Sequence, residues 1–239
     1  MPGKMIYYQQ LAEAVTRQIA GDAQEWARFL TTAARLYKYP YHEQLLIYAQ
    51  RPDATACAGY DLWNNTMHRY VRRGSKGIAL LSPTAHGVQL RYVFDVADTG
   101  RGRDAREPFL WSLDGKSIPA VQSALAEAYD ESAGTSISEQ LHQAAQQVTE
   151  NYFAEHTQEL GDILADASAT GYDEDALRKL AAESISYMLA SRCGLQPEVP
   201  AFTELASLAG QPKAMEALGI AVSTGSEQVL RQIERAIRD

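Results

Sequence analysis

Cysteine is almost missing from this chain of 239 residues: Cys57 and Cys193 stand far apart and match no metal-ligand spacing. That excludes a disulfide framework and argues against a structural zinc site, and it suits a compartment where thiols stay reduced. No apolar run approaches the 18 residues of a membrane span, and the N-terminal Met-Pro-Gly-Lys-Met-Ile has no long apolar core of the signal-peptide kind. A cytoplasmic protein with no membrane partner is expected. Catalytic signatures are equally scarce. The five histidines, His42, His68, His86, His142 and His156, form no His-Glu-x-x-His pair. There is no Gly-x-x-x-x-Gly-Lys-[Ser/Thr] phosphate loop and no Gly-x-Ser-x-Gly elbow. We therefore expect no enzyme, no catalytic residue, no metal and no cofactor. No internal repeat of fixed period occurs, so a solenoid is not supported.

What the chain does have is a split in charge. Its net charge is −8, but residues 1–116 carry 15 Lys+Arg against 11 Asp+Glu, whereas residues 117–239 carry 7 against 19. A net of +4 is thus joined to a net of −12. Such asymmetry points to a nucleic-acid-facing part attached to something else. With 46% apolar residues the chain can bury a sizeable core, as one large domain or two small ones.

The first segment repeats Leu11, Val15 and Ile19 at helical spacing, and Gly21 ends it. Asp22 then caps a second helix with Glu25 three positions on, and Trp26, Phe29, Leu30 and Ala33 make a stripe that reads as core. Tyr37-Lys-Tyr-Pro-Tyr41 interrupts the pattern, because Pro40 disfavours helix at Tyr39; a short helix from His42 to Gln50 follows. The tyrosines here, Tyr41 among them, suit either base stacking at a helix start or packing around a proline turn.

The β-favouring runs Tyr70-Val71, Ile78–Leu81 and Val88–Asp95 are separated by Gly74-Ser-Lys-Gly77 and Ala85-His-Gly87, which predicts a small antiparallel meander. Its approach and first turn, Tyr60 to Gly77, interleave aromatic and cationic side chains as no other segment does. A groove for single-stranded nucleic acid needs flat π surfaces for bases and positive charge for phosphates. Tyr41, Trp63, Arg69, Tyr70, Arg72, Arg73, Lys76 and Arg91 are the candidate DNA-binding residues. Arg72, Arg73 and Lys76 should project from an exposed turn, and Gly74 and Gly77 let the backbone take positive φ and approach a phosphate.

From Ala97 to Lys116 the chain reads as a basic loop carrying Arg101, Arg103 and Arg106. A domain boundary is placed after it, giving a binding domain at 1–116 and an acidic helical domain at 117–239. Helices are expected near 119–130, 136–156, 158–168, 173–192, 200–208, 212–218 and 225–238. The last would start from a capping box at Thr224 and Glu227, with Val229, Leu230, Ile233 and Ile237 on one face. The fold class is α+β: N-terminal helices packed on a small antiparallel meander, followed by an all-helical C-terminal domain.

Residues from Pro40 to about Thr99 resemble the N-terminal single-stranded-DNA-binding domain of ArdC-type antirestriction proteins and its relatives in large polyvalent proteins of conjugative elements. The resemblance rests on Gln44-Leu-Leu-Ile-Tyr48, Gly59-Tyr-Asp-Leu-Trp63, the turn Val71-Arg-Arg-Gly-Ser-Lys-Gly77 and Tyr92-Val-Phe-Asp95. Ser75 departs from the acidic residue expected at its place. ArdC-type proteins often continue into a zinc metallopeptidase domain, and Leu180 to Gly194 resembles the helix carrying its third ligand, with Glu183 at the matching place. Without the histidine pair this implies a scaffold without metal, a degenerate form of that domain. Arg178 to Asp239 also resembles the region that precedes helicase or methyltransferase domains in the polyvalent proteins.

The resemblance implies a non-catalytic single-stranded-DNA-binding module of a mobile-element protein, with components of the conjugation or restriction machinery as further partners. The alternative from charge is an acidic interaction module, a DNA-mimic decoy acting on a host defence or DNA-transfer protein.

Overall fold

Asp22 turns the chain between its first two helices. A computed structural model of the protein describes residues 2–84, 87–129, 136–167, 174–208 and 210–238. Helix α1 (Pro2–Ala20) stops before Gly21 and buries Val15 and Ile19. Asp22 then accepts hydrogen bonds from the backbone N–H groups of Gln24 (2.6 Å) and Glu25 (3.3 Å), starting α2 (Ala23–Arg35). Glu25 does not complete a capping box; it accepts from Gln18 Nε2 at 2.7 Å. Trp26, Phe29, Leu30 and Ala33 are all buried, as their spacing predicts. Trp26 stacks on Phe29 and donates its indole N–H to Ser184 Oγ at 2.9 Å, which anchors α2 to the C-terminal half. Pro40 ends the connecting turn, and α3 (Tyr41–Gln50) follows.

Strand order in the main sheet is β1 (Cys57–Gly59), β4 (Gly87–Asp95), β3 (Ile78–Thr84), all antiparallel. The β3–β4 hairpin runs in register from Ile78 opposite Val93 to Thr84 opposite Gly87; the expected turn residues Ala85 and His86 lie outside the described residues. One face buries Ile78, Leu80 and Val93 against Leu46 and Ile47 of α3. At the β3 edge Gln50 takes the place of a neighbouring strand. Its amide donates to Ala79 O (2.8 Å) and accepts from Ala79 N–H (3.0 Å), satisfying one residue of an open ladder. Asp95 ends β4 buried, accepting from the N–H groups of Thr55 (2.6 Å), Ala56 (3.0 Å) and Ala97 (2.9 Å).

The expected meander is corrected at one strand. β2 (Arg69–Val71) pairs not with β3 but with β5 (Thr99–Arg101), in a separate two-stranded sheet. Two side chains fix this choice. Arg69 donates to Thr99 Oγ1 at 2.8 Å, and the Tyr70 ring lies over Gly100, where even a Cβ would come within 2.3 Å of it. Consequently the segment 72–77 is a crossing between two sheets rather than a hairpin tip, and part of the predicted 97–116 loop is strand.

The C-terminal half is helical: α4 (Ile118–Tyr129), α5 (Ile137–Glu155), α6 (Thr157–Ala167), α7 (Glu174–Arg192), a short 3-10 turn at Leu205–Leu208, and α8 (Pro212–Arg238). The expected break near 219–224 is absent. Gly219 and Gly225 do not end a helix there. A Cβ on Gly219 would stand 2.2 Å from the Tyr41 ring, and one on Gly225 would stand 2.7 Å from Ile185 Cδ1. Both are close-packing positions, so α8 passes straight through Thr224. Its stripe Val229, Leu230, Ile233 is buried as predicted. The main core joins Ile19, Trp26 and Phe29 to Leu141, Ile185 and Leu230, so packing is continuous across residues 116 and 117.

Candidate nucleic-acid interface

Alternation along β4 decides which side chains face solvent. Val93 and Asp95 point into the fold, so Tyr92 and Phe94 occupy the opposite face. Tyr92 is 43% exposed, and Phe94 packs edge-on against Tyr60, itself 55% exposed. Gly77 lies against both β4 rings: a Cβ there would meet Tyr92 and Phe94 at 3.2 Å. Its role is therefore close approach, whereas Gly74 has the positive φ of +90°. The crossing 72–77 starts beside Tyr70, 54% exposed, and ends against Tyr92.

This crossing is held by backbone bonds that leave its charges free. Arg72 N–H donates to Asp98 O at 2.9 Å, and Ser75 N–H donates to Arg72 O at 3.1 Å. The Arg72 guanidinium rests on Ala97 O at 3.0 Å and is exposed. Arg73 and Lys76 are exposed and have no ion pair among the described residues. The nearby Asp98 carboxylate is taken up by Arg51 at 2.5 Å, so it does not neutralise the loop. On the β5 side, Arg101, Arg103 and Arg106 are exposed too. Two backbone bonds fix that segment, Gly102 N–H to His68 O (3.1 Å) and Arg106 N–H to Met67 O (2.8 Å). The face is not uniformly basic, because Asp61 follows Tyr60 and Glu107 bridges Arg69 and Arg101.

Four of the eight sequence-nominated residues have structural positions instead. Trp63 lies in the five-residue π-helical turn Leu62–Thr66 and is 2% exposed, and its N–H donates to Phe94 O at 2.9 Å. It offers no open face for a base. Tyr41 is buried against Gly219 of α8. Arg69 is buried between Thr99 and Glu107. Arg91 is exposed, but its guanidinium is taken up by Glu43 at 2.5 Å and by Ser82 Oγ at 2.7 Å. Tyr70, Arg72, Arg73 and Lys76 are exposed. Tyr60 and Tyr92 join them, and the period-2 alternation of β4 was the signal for Tyr92.

Neither cysteine of the chain is ionised at rest. Burial pushes the thiols of Cys57 and Cys193 up to about 12, so neither is a thiolate at neutral pH. Glu183, nominated as a relic metal-ligand position, lies in α7 beside His142 and Ser186, far in sequence from the basic crossing. Among the described residues no group of three or more His, Cys, Asp or Glu side chains is arranged to hold a metal ion. No described helix is long and apolar enough to cross a membrane. Comparison of the chain with protein-family models, with curated proteins and with solved structures returns no match.

Proposed function

We propose that the protein is a single-stranded-DNA-binding module, non-catalytic, whose interface is the exposed aromatic and basic face of the two small sheets. One observation carries this reading: the loop bearing Arg72, Arg73 and Lys76 is bounded by two exposed tyrosine rings, Tyr70 at its start and Tyr92 at its end. Successive bases stack on such rings, and phosphates follow the cations beside them. A duplex hides its base faces within its own stack, so this arrangement favours a single strand. Each stack contributes about 1–3 kcal/mol, and roughly three to five phosphate contacts give a log–log salt slope near −2 to −3.5. Arg103 and Arg106 extend the phosphate track past Gly100, while Arg101 is paired with Glu107. A role in antirestriction or conjugative transfer is what the ArdC-like pattern of the crossing implies for this module.

Photo-crosslinking of a 5-iodouracil-substituted oligodeoxynucleotide, with the adducts mapped by mass spectrometry, tests the interface. Adducts at Tyr60, Tyr70 or Tyr92 are expected. Adducts confined to α4–α8 would move the site to the acidic half and refute the assignment.

A further inference from the structure

The C-terminal ends of α2, α7 and α8 converge on residues 108–111 and enclose a cavity of about 210 Å³. None of the residues lining it is acidic, yet four are cationic: Arg35, Lys38, Arg192 and Arg238. In a protein of net charge −8 such a concentration needs a cause. Part of the cause is local, because cations are favoured at helix C-termini. Arg35 fits that explanation fully, donating from Nε to Ala54 O at 2.7 Å and from Nη2 to Pro52 O at 2.8 Å. Lys38 and Arg238 share the carboxylate of Glu234, at 2.6 and 2.7 Å.

Arg192 is different. Its guanidinium carbon lies 3.5 Å from the centre of the Trp111 ring, and its Nε is shut off from solvent without an acceptor. Among the described residues it makes no hydrogen bond and no ion pair. Stacking on the indole satisfies the face of the cation but leaves the donors around its edge unused. Burial pushes its pKa down, which marks a partly desolvated charge without a direct counter-ion. Trp111 is itself fixed, donating to Tyr37 Oη at 3.2 Å, and Tyr37 donates in turn to Glu234. At the rim stands Phe109, 46% exposed, with Arg238 4.5 Å over one face of its ring.

We infer that this cavity binds a phosphate ester carried on an aromatic base, a nucleotide unit, with the phosphate on the free edge of Arg192 and the base against Phe109. The planar guanidinium presents paired donors that match phosphate oxygens, and Lys38 and Arg238 add charge at the same wall. The ring of Phe109 supplies the stacking surface. A free mononucleotide and the phosphorylated end of a strand share this chemistry. The inference stands independently of the interface around Tyr70 and Tyr92.

Isothermal titration calorimetry on the full chain, using deoxyadenosine monophosphate, deoxyadenosine, inorganic phosphate, and one oligodeoxynucleotide with and without a 5′-phosphate, tests it. Deoxyadenosine monophosphate should bind more tightly than either of its parts. If only the oligonucleotide shows a gain from its 5′-phosphate, the site takes strand ends rather than free nucleotides. Arg192→Gln should weaken binding by roughly tenfold to a hundredfold, the loss of one or two charge-assisted hydrogen bonds. Arg192→Lys, which keeps the charge but loses the fork, should fall between, and Phe109→Ala, at an exposed position, should weaken the nucleotide but not inorganic phosphate. Should Arg192→Gln fail to fold, those two variants decide the matter. The Arg72/Arg73/Lys76 glutamine variant should bind the mononucleotide as the parent does, so the two sites fail separately. Absence of any gain from a 5′-phosphate on nucleoside or strand overturns the inference, as does unchanged binding in the Arg192 and Phe109 variants.

Discussion

Replacing Trp63 with phenylalanine separates the two roles an aromatic residue near the basic crossing could have. Trp63 is buried and its N–H donates to the Phe94 carbonyl, tying the π-helical turn to β4. The smaller ring would leave that carbonyl without its donor, at about 1 kcal/mol, and a partly filled space, at about 1–2 kcal/mol. The sum of about 2–3 kcal/mol should lower the thermal midpoint by roughly 4–12 °C for a chain of this size. At a temperature where the variant is still folded, its affinity for single-stranded DNA should stay within about twofold of the parent, because the buried indole has no face open to a base. Tyr92→Ala should do the reverse. It costs about 1 kcal/mol of stability but weakens binding roughly 5- to 150-fold, the worth of one lost stack. Differential scanning calorimetry and binding isotherms on the same preparations make the comparison. A Trp63→Phe protein with an unchanged midpoint and a sharply reduced affinity would refute the burial argument and restore Trp63 as a stacking platform.

Four other outcomes follow from the packing and its polar contacts. Gly219→Ala should cost about 1–3 kcal/mol by overpacking against Tyr41, whereas Thr224→Ala should be nearly neutral in urea unfolding, because α8 does not start there. Asp95→Ala should cost about 2–4 kcal/mol, since it strips three backbone N–H groups of their shared acceptor; a loss below about 1 kcal/mol in the same assay would show that water replaces it. Burial pushes the Glu234 carboxyl up, but hydrogen bonds from Lys38 and Tyr37 and the charges of Lys38 and Arg238 outweigh it, and its pKa ends below the usual range. The stabilisation is therefore present above the unfolded pKa of about 4.3 and disappears as pH falls through the lower folded value, so the stability gap between the parent and Glu234→Gln should narrow between pH 7 and pH 3. A gap independent of pH would contradict it.

Helical segments whose partners lie on their own face were legible in the sequence. The Trp26, Phe29, Leu30, Ala33 stripe and the Val229, Leu230, Ile233 stripe are buried as their periods predict. Asp22 was legible as a cap because its acceptor work is local. What escaped depends on contacts remote in sequence. Gly219 and Gly225 resemble helix breaks until Tyr41 and Ile185 are known to press on them. β2 sits next to β3 in sequence, yet its partner is β5, selected by Arg69 with Thr99 and by Tyr70 with Gly100. Composition marks the stretch from Tyr60 to Gly77 as aromatic and basic, but does not say which rings are inside. Trp63 turns inward, its indole N–H bound to the Phe94 carbonyl of β4, and Tyr92 turns outward because Val93 belongs to the core. Arg91, one position from Tyr92, is on the other face for the same reason.

The most direct test of the binding reading is fluorescence anisotropy of labelled single-stranded and duplex DNA of matched sequence, across a salt series, with the parent and the Arg72/Arg73/Lys76 glutamine variant. A salt-sensitive preference for the single strand, with a log–log slope near −2 to −3.5 that flattens by about 2 in the variant, is the predicted result. Binding to neither form, or a variant that keeps the parental slope, would contradict the account and leave the acidic helical half as the functional surface.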